Sequence, residues 1–211
     1  MRLIGYMFSD REDVAPYAED AHDGDTVRWA SEQARRLHAY VIVGYPERVR
    51  GENGEADCFY NSACVVNRAG HLVHTYRKAY LFETDLTWAS WSSDGFSVLD
   101  LDGIGRVGIG ICMDLNHDMR ADNFSDLAFA AYHKAAEVDL VLILMNWLVS
   151  PEQCDSSSDD ISSNGDSSIH DHKQHPDWRN VYYWVRRLNP LLEASDNRKV
   201  DVVACNRTGV E

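Results

Sequence analysis

Basic residues are scarce in this chain. The sequence has 20 Lys and Arg against 34 Asp and Glu, so its formal net charge is -14. Because phosphate contacts need clustered cations, we expect neither nucleic acid nor an anionic membrane surface as a partner. No apolar run is long enough to span a membrane, and the longest one, residues 138–149, is typical of a strand. The first residues show neither a cationic nor a long apolar segment, so we expect no secretory signal.

Cysteines are few and irregularly spaced. There are five, an odd number without a C-x-x-C pair, which argues against a disulfide framework and against a zinc ribbon. A reducing cytosol is therefore the expected compartment. His170, His172 and His175 could bind a metal ion adventitiously, but the Ser/Asp/His-rich stretch 153–176 has almost no apolar residues to form a rigid support. We expect a flexible insertion there and no metal.

The apolar residues follow helix and strand periodicities in turn. The turn at 67–70 ends in a glycine, which suits a hairpin. Helices are predicted at 25–38, 124–137 and 177–195, single strands at 39–49, 138–147 and 199–211, and hairpins at 61–78 and 96–112. Strands that alternate with helices indicate a layered α/β domain, which we assign to the whole chain, residues 1–211.

The segment GIGRVGIGICMDLN, residues 103–116, fits two different functions. Its first six letters match the G-x-G-x-x-G fingerprint of dinucleotide sites, but that fingerprint needs a helix after the glycines, and an apolar strand follows here. The glycines are therefore interpreted as a hairpin turn and a close strand contact. The strand ends at Cys112, where α/β sheets carry reacting groups, although a buried cysteine commonly serves as a small hydrophobic residue.

A lysine lies upstream of this cysteine, at the end of a hairpin strand. Lys78 stands in YRKAYLF, residues 76–82, among apolar residues that would draw it inward. A lone lysine more often lies at the surface with its charge in water. Beside a cysteine, however, the cation would lower the thiol pKa and stabilise a developing oxyanion.

Together, YRKAYLF and GIGICMDLN resemble the nitrilase superfamily, the carbon–nitrogen hydrolases with a Glu-Lys-Cys triad. The opening LIGYMF, the stretch YNSACVVNRAGHLVHTYRK, the MNW after the buried strand and the final ACNRTGVE agree with it. Within the superfamily, YRKAYLFETDLTWAS and YYWVRRLNPLL are most similar to the protein N-terminal asparagine/glutamine amidases. The resemblance covers nearly the whole chain and implies an α/β fold of the nitrilase type, an α-β-β-α sandwich.

The resemblance also implies a mechanism, with Cys112 as the nucleophile and Lys78 as the cation at the tetrahedral intermediate. The implied enzyme is an amidohydrolase that acts on non-peptide C–N bonds and cleaves a carboxamide through a cysteine thioester. Its substrates would be proteins or peptides with N-terminal Asn or Gln. No metal and no organic cofactor is implied, because the thiol and the lysine supply the chemistry.

The third catalytic group of the family is a glutamate that takes the thiol proton, in a P-E-x-x-x-x-G-Y segment. Matching Gly5 and Tyr6 to that segment puts the glutamate before Met1, and the chain stops at Glu211, ahead of the region that usually completes the domain. We therefore expect a sandwich that is incomplete at both ends, and the activity of these 211 residues alone is in question. Two alternatives stay open: a small-molecule amidase or nitrilase with the same residues, or an inactive remnant that binds a partner or dimerises with an intact relative. The protein could also form a homodimer.

Five further residues are candidates for substrate binding: Glu83, Asp85, Asp114, Asn116 and Trp147. The two acids in FETD could equally be solvated loop residues, and neither is placed by the sequence to replace the proton acceptor. Asp114 could instead make structural hydrogen bonds where the strand ends. A tryptophan after a buried strand packs against its neighbours whatever its function.

Overall fold

The computed structural model describes residues 8–51, 54–118, 120, 125–147, 177–193 and 199–207. The insertion predicted at 153–176, with its three histidines, lies outside the described residues. The strands are β1 Val41–Val49, β2 Cys58–Val66, β3 Leu72–Arg77, β4 Ser97–Leu101, β5 Gly105–Ile111, β6 Leu140–Met145 and β7 Asp201–Asn206. The helices are α1 Arg11–Val14, α2 Asp25–Leu37, α3 Ala128–Ala135, α4 Trp178–Arg187 and α5 Asn189–Leu192, with short 3-10 helices at Asp85–Thr87 and Cys112–Leu115. None of these helices is long and apolar enough to cross a membrane.

The strands form two sheets. In the first, β1, β2 and β3 lie side by side and are antiparallel. In the second, β4 is antiparallel to β5, whereas β5, β6 and β7 run parallel to one another. The two predicted hairpins are present, and their turns contain Gly70 and Gly103 with φ of 79° and 71°. Glycine adopts this left-handed conformation without steric cost, which explains its place at both turns.

The two sheets pack face to face and enclose an apolar layer. Ala63 and Val65 of β2 belong to the same buried cluster as Val107, Ile109 and Ile111 of β5. Because side chains alternate along a strand, each of these strands presents every second residue to this layer. The layer lies directly beneath the strand ends that carry the candidate catalytic residues.

Helices cover the two outer faces. Ala30 and Ala34 of α2 pack against Cys64 of β2, on the outside of the first sheet. Phe129 of α3 and Leu191 of α5 belong to a cluster on the outside of the second sheet. The layers therefore run helix, sheet, sheet, helix, and the predicted α-β-β-α sandwich is confirmed.

Two of the predicted helices are longer than those observed. The helix predicted at 124–137 begins only at Ala128, and the one predicted at 177–195 is interrupted at Leu188. Pro190 explains the interruption, since proline has no backbone N–H to continue the hydrogen-bond ladder of α4. The periodicity therefore predicted these two helical regions correctly, but it did not predict the residues at which the helices begin and end.

Two glycines in β5 allow α3 to approach this strand closely. A Cβ atom on Gly108 would lie 2.1 Å from the ring of His133, and one on Gly110 would lie 2.6 Å from the ring of Phe129. Both distances are shorter than any relaxed contact between carbon atoms. Gly108 and Gly110 therefore allow a helix to pack closely on a strand. This agrees with a packing role for the glycines, which the sequence favours over a dinucleotide site because no helix follows them.

We expect Gly108→Ala to lower the free energy of unfolding by about 1–3 kcal/mol, because the added methyl group needs space that the His133 ring occupies. Gly44→Ala is the matched control in β1, where the new Cβ would lie 3.8 Å from the Ser62 oxygen, an ordinary contact. Urea denaturation of both variants measures the difference. Equal stability of the two variants would show that α3 does not pack as closely as described.

Candidate active site

Cys112 lies at a sharp turn at the carboxyl end of β5. It is the first residue of the 3-10 helix Cys112–Leu115 and has φ of 44°, a value that residues other than glycine adopt rarely. The backbone N–H of Asn146, which follows the parallel strand β6, faces the thiol. The turn thus brings the cysteine side chain to the end of two neighbouring strands, as expected for a reacting group in an α/β fold.

Lys78 is buried at the end of β3, on the other sheet. Its backbone N–H donates to the carbonyl of Asn61 at 2.8 Å, which extends the β2–β3 ladder by one residue. Its ammonium group donates to the carboxylate of Asp85 at 2.6 Å, and neither side chain has any exposed area. The apolar neighbours in YRKAYLF thus do draw the lysine inward.

Three donors surround the carboxylate of Asp85. Besides Lys78, the side-chain amide of Asn61 donates to it at 3.0 Å and the backbone N–H of Phe82 at 2.8 Å. Asp85 begins the 3-10 helix Asp85–Thr87, so the loop after β3 folds back over the end of its own strand. The carboxylate is therefore a fixed internal counterion of the lysine.

Asp114 connects the lysine segment with the cysteine segment. One carboxylate oxygen accepts the backbone N–H groups of Ala79 and Tyr80 at 3.0 and 2.8 Å, immediately after Lys78. The other accepts the Tyr76 hydroxyl at 2.8 Å and the N–H of Ile111 at 2.7 Å. Burial raises the pKa of Asp114 to about 6, although these hydrogen bonds act in the opposite direction. This is the structural role that the sequence left open for Asp114.

The thiol of Cys112 responds to charges from both segments. Burial is the largest influence and raises its pKa, whereas Lys78 and the Asn146 N–H lower it. Asp85 and Asp114 raise it further. Lys78 therefore acts in the predicted direction, but removal of the thiol from water outweighs it, so the net shift of the Cys112 pKa is upward.

The other predicted residues differ in the contacts that they make with neighbouring side chains. Glu83 is exposed on the loop. Asn116 accepts a hydrogen bond from the Tyr183 hydroxyl of α4 at 2.6 Å. Trp147 packs against Tyr183, with ring centroids 5.7 Å apart, and donates from its indole nitrogen to Asn180 at 3.2 Å. These two residues link the end of the site to α4, and their roles in substrate binding stay predictions.

A Pro-Glu pair in β1 raises the question whether Glu47 is the proton acceptor of the family. Glu47 is almost fully buried, but it binds the Ser62 hydroxyl at 2.7 Å and the guanidinium of Arg77 at 2.6 Å. It shares its face of β1 with Tyr45, which packs under α2, whereas Lys78 follows Arg77 and points to the opposite face. A cavity of about 810 Å³ lies beside Glu47 and Arg77 and does not include Lys78. Glu47 therefore does not serve the thiol.

Two site residues were not singled out from the sequence. Asn61 and Tyr76 each bind one of the two buried aspartates through a side chain. Both stand in the stretch YNSACVVNRAGHLVHTYRK, which carried the resemblance only as a pattern. Their positions at or near the two ends of the hairpin predicted at 61–78 were a signal that could have pointed to them.

A protein-family model matches the part of the chain that contains the candidate active site. The model of the carbon-nitrogen hydrolase family matches residues 2–146, which contain Lys78 and Cys112. The chain belongs to the carbon–nitrogen hydrolase family. Its resemblance to the nitrilase superfamily is thereby confirmed.

Within this family, the chain is similar to N-terminal amidases. The chain is 30% identical over 226 residues to the protein N-terminal amidase of Schizosaccharomyces pombe, an alignment that covers 100% of this chain and 71% of that protein. Two crystal structures of N-terminal amidase, one with an Asn-Glu-Ala peptide and one with a Gln-Gly peptide, are each 25% identical. They superpose with TM-scores of 0.72 and 0.71 over 92% and 91% of this chain, which spans 58% and 57% of their lengths.

One expectation needs correction. The prediction of an amidohydrolase defined by non-peptide C–N bonds is wrong, because these relatives are protein N-terminal amidases and their structures were solved with peptides. The prediction followed the general chemistry of the superfamily. The relatives are instead named for their action on the N-termini of proteins, and their structures contain peptides.

Alkylation of Cys112 by iodoacetamide should rise with pH through an inflection above that of an unstructured peptide with the sequence of residues 110–114. The raised pKa leaves little thiolate at neutral pH, so the reactive form accumulates only when the pH approaches this higher value. Peptide mapping by mass spectrometry measures the rate at Cys112 separately from the other cysteines. An inflection at or below that of the peptide would contradict the dominance of burial.

Asp114→Asn should lower the free energy of unfolding by about 2–4 kcal/mol, because one amide oxygen cannot satisfy donors that now share two carboxylate oxygens. Asp100→Asn is the control, since its side chain is 85% exposed and its only role shown is an ion pair with Arg106 at 3.6 Å. Urea denaturation at pH 7 compares the variants. A loss in Asp114→Asn no greater than in the control would refute the linking role of this carboxylate.

Proposed function

We propose that this protein hydrolyses the side-chain amide of an N-terminal Asn or Gln on peptides and proteins. The observation that carries the proposal is that the charges of the buried Lys78–Asp85 pair act on the thiol of Cys112, which stands at the turn where β5 ends. The similarity to N-terminal amidases with bound Asn- and Gln-initiated peptides supports the choice of substrate.

The reaction follows from a thiol and a fixed cation beside a carboxamide. After a general base takes its proton, the sulfur of Cys112 attacks the carboxamide carbon and forms a tetrahedral intermediate. The C–N bond breaks, the nitrogen leaves as ammonia with a proton from the conjugate acid of the base, and a thioester remains. Water then attacks the thioester, and the products are a carboxylate and the free thiol.

Lys78 would stabilise the oxygen that gains negative charge in both tetrahedral intermediates. A charged donor that is already oriented before reaction needs no reorganisation when this charge develops. The Asn61 amide and the Phe82 N–H hold the carboxylate of Asp85 in place, and Asp85 in turn orients the ammonium group of Lys78 in the absence of substrate. The backbone N–H of Asn146 faces the sulfur and would favour its thiolate form.

Carboxylates that act on Tyr80 favour a substrate with a free α-amine. Tyr80, two residues after Lys78, has its pKa raised by burial first and then by Asp118 and Asp126, which lie on the loops after Cys112. A protonated N-terminus would be attracted to these carboxylates, and the net charge of -14 acts in the same direction. We propose the cytosol as the compartment, because a reducing environment keeps the nucleophilic thiol free.

The function is tested by ammonia release from Asn-Glu-Ala and Gln-Gly peptides, with the loss of the amide confirmed by mass spectrometry. Cys112→Ala should reduce the rate by at least about a thousandfold, because it removes the nucleophile. Cys205→Ala is the matched control, since this cysteine is exposed on β7 and should leave the rate unchanged.

The substrate panel separates the proposal from its alternatives. The same peptides with acetylated N-termini should react poorly, because they lack the cationic α-amine. Ammonia release from free carboxamides but not from the peptides would indicate a small-molecule amidase. No release from any of these compounds, together with a Cys112 that forms no thioester, would indicate a non-catalytic protein.

A further inference from the structure

The buried ion pair between Lys78 and Asp85 needs a functional explanation. Neither side chain is exposed, and burial of two charges usually costs more free energy than their attraction returns. A pair of apolar residues could fill the same space at lower cost. A charged lysine at this position therefore implies a use for the cation, and a charged lysine in turn requires a fixed counterion.

Among the described residues, the groups that could balance the charge of Lys78 include the thiolate of Cys112 and the carboxylates of Asp85 and Asp114. The geometry favours Asp85, whose carboxylate lies 2.6 Å from the ammonium nitrogen and also accepts hydrogen bonds from Asn61 and Phe82. The charged groups that act on the Cys112 thiol are Lys78, Asp85 and Asp114, and among these the lysine alone favours the thiolate.

We propose that Asp85 is a positioning residue, which orients Lys78 and balances its charge so that Cys112 rests as a neutral thiol until a substrate binds. This proposal rests on the proposed amide hydrolysis, in which Lys78 acts on the oxyanion. In this role Asp85 acts through Lys78 and not on the reacting atoms. The substrate oxygen would reach a lysine that is already charged and oriented, and the thiol would be protected from unspecific oxidation and alkylation.

The loop explains why an aspartate at this position can do this. Asp85 begins a 3-10 helix that places its short side chain over the end of β3, where the Phe82 N–H binds the same oxygen as Lys78. The second oxygen is held by Asn61 from β2. Donors from two elements thus fix the carboxylate, and the carboxylate in turn fixes the lysine.

The test is the pH dependence of Cys112 alkylation in Asp85→Asn, measured with iodoacetamide on the full chain. Without the carboxylate, Lys78 loses its ion-pair partner and one of the negative charges that oppose the thiolate is gone, so the inflection should shift downward by about one pH unit or more. Turnover of an Asn-initiated peptide should fall in the same variant, because the lysine is no longer oriented. General loss of structure would also abolish turnover and move the inflection toward that of the unstructured peptide of residues 110–114. Urea denaturation of Asp85→Asn is therefore measured alongside, and the shift counts only for a protein that unfolds cooperatively.

Asp94→Asn is the matched control. Asp94 is an exposed carboxylate that pairs with Arg77, the neighbour of Lys78, at 3.9 Å, and its loss should leave the inflection where it is. An unchanged or raised inflection in folded Asp85→Asn would overturn the proposal. This titration needs no turnover, so a protein inactive on peptides would refute the proposed function without deciding the role of Asp85.

A second variant covers the case in which Asp85→Asn does not fold. The double variant Lys78→Met/Asp85→Leu replaces the pair with apolar residues, a change that buried ion pairs commonly tolerate. Since Lys78 lowers the thiol pKa more than Asp85 raises it, the inflection should lie above that of the wild type. An unchanged inflection would show that the pair does not control the thiol and would overturn the proposal.

Discussion

The carboxylate of Asp114 is the interaction on which the candidate site depends. Lys78 and Cys112 stand on different sheets and are 34 residues apart in the chain. Asp114 binds two backbone N–H groups that follow the lysine and one that precedes the cysteine, so a single buried group sets their relative position. The face-to-face packing of the sheets brings the strand ends together, and this carboxylate binds both of the segments that continue from them.

Buried charge is concentrated at this end of the sandwich. Asp85, Asp114 and Lys78 have almost no exposed surface, and each aspartate is surrounded by donors from more than one segment. Such an arrangement is costly to bury and is stable only when every member is satisfied. It also explains why the thiol is not strongly activated at rest: two carboxylates and the loss of water oppose one cation.

The sequence predicted the layers well, because periodicity reports which face of an element is apolar. The core strands were found in this way, whereas the hairpin turn at 67–70 was indicated by its glycine and the packing role of the glycines before Cys112 by the strand that follows them. The sequence predicted the candidate reacting residues partly by position at strand ends and partly by resemblance. It did not single out Asn61 or Tyr76, since a polar residue within a strand has no periodic signal that separates a buried hydrogen-bond donor from a solvated side chain.

By itself the sequence determined the order of helices and strands, the family, and a cysteine and a lysine that the resemblance joined in one mechanism. Only the tertiary structure decided the environment and the role of each acidic residue. Glu83 and Asp85 are two residues apart and chemically alike, yet one is exposed and the other is the counterion of Lys78. The same holds for Glu47, which its strand turns toward Arg77 and away from the site. The reason is physical: the charge of a carboxylate is read from the sequence, whereas its effect depends on distance and burial, which only the folded chain sets.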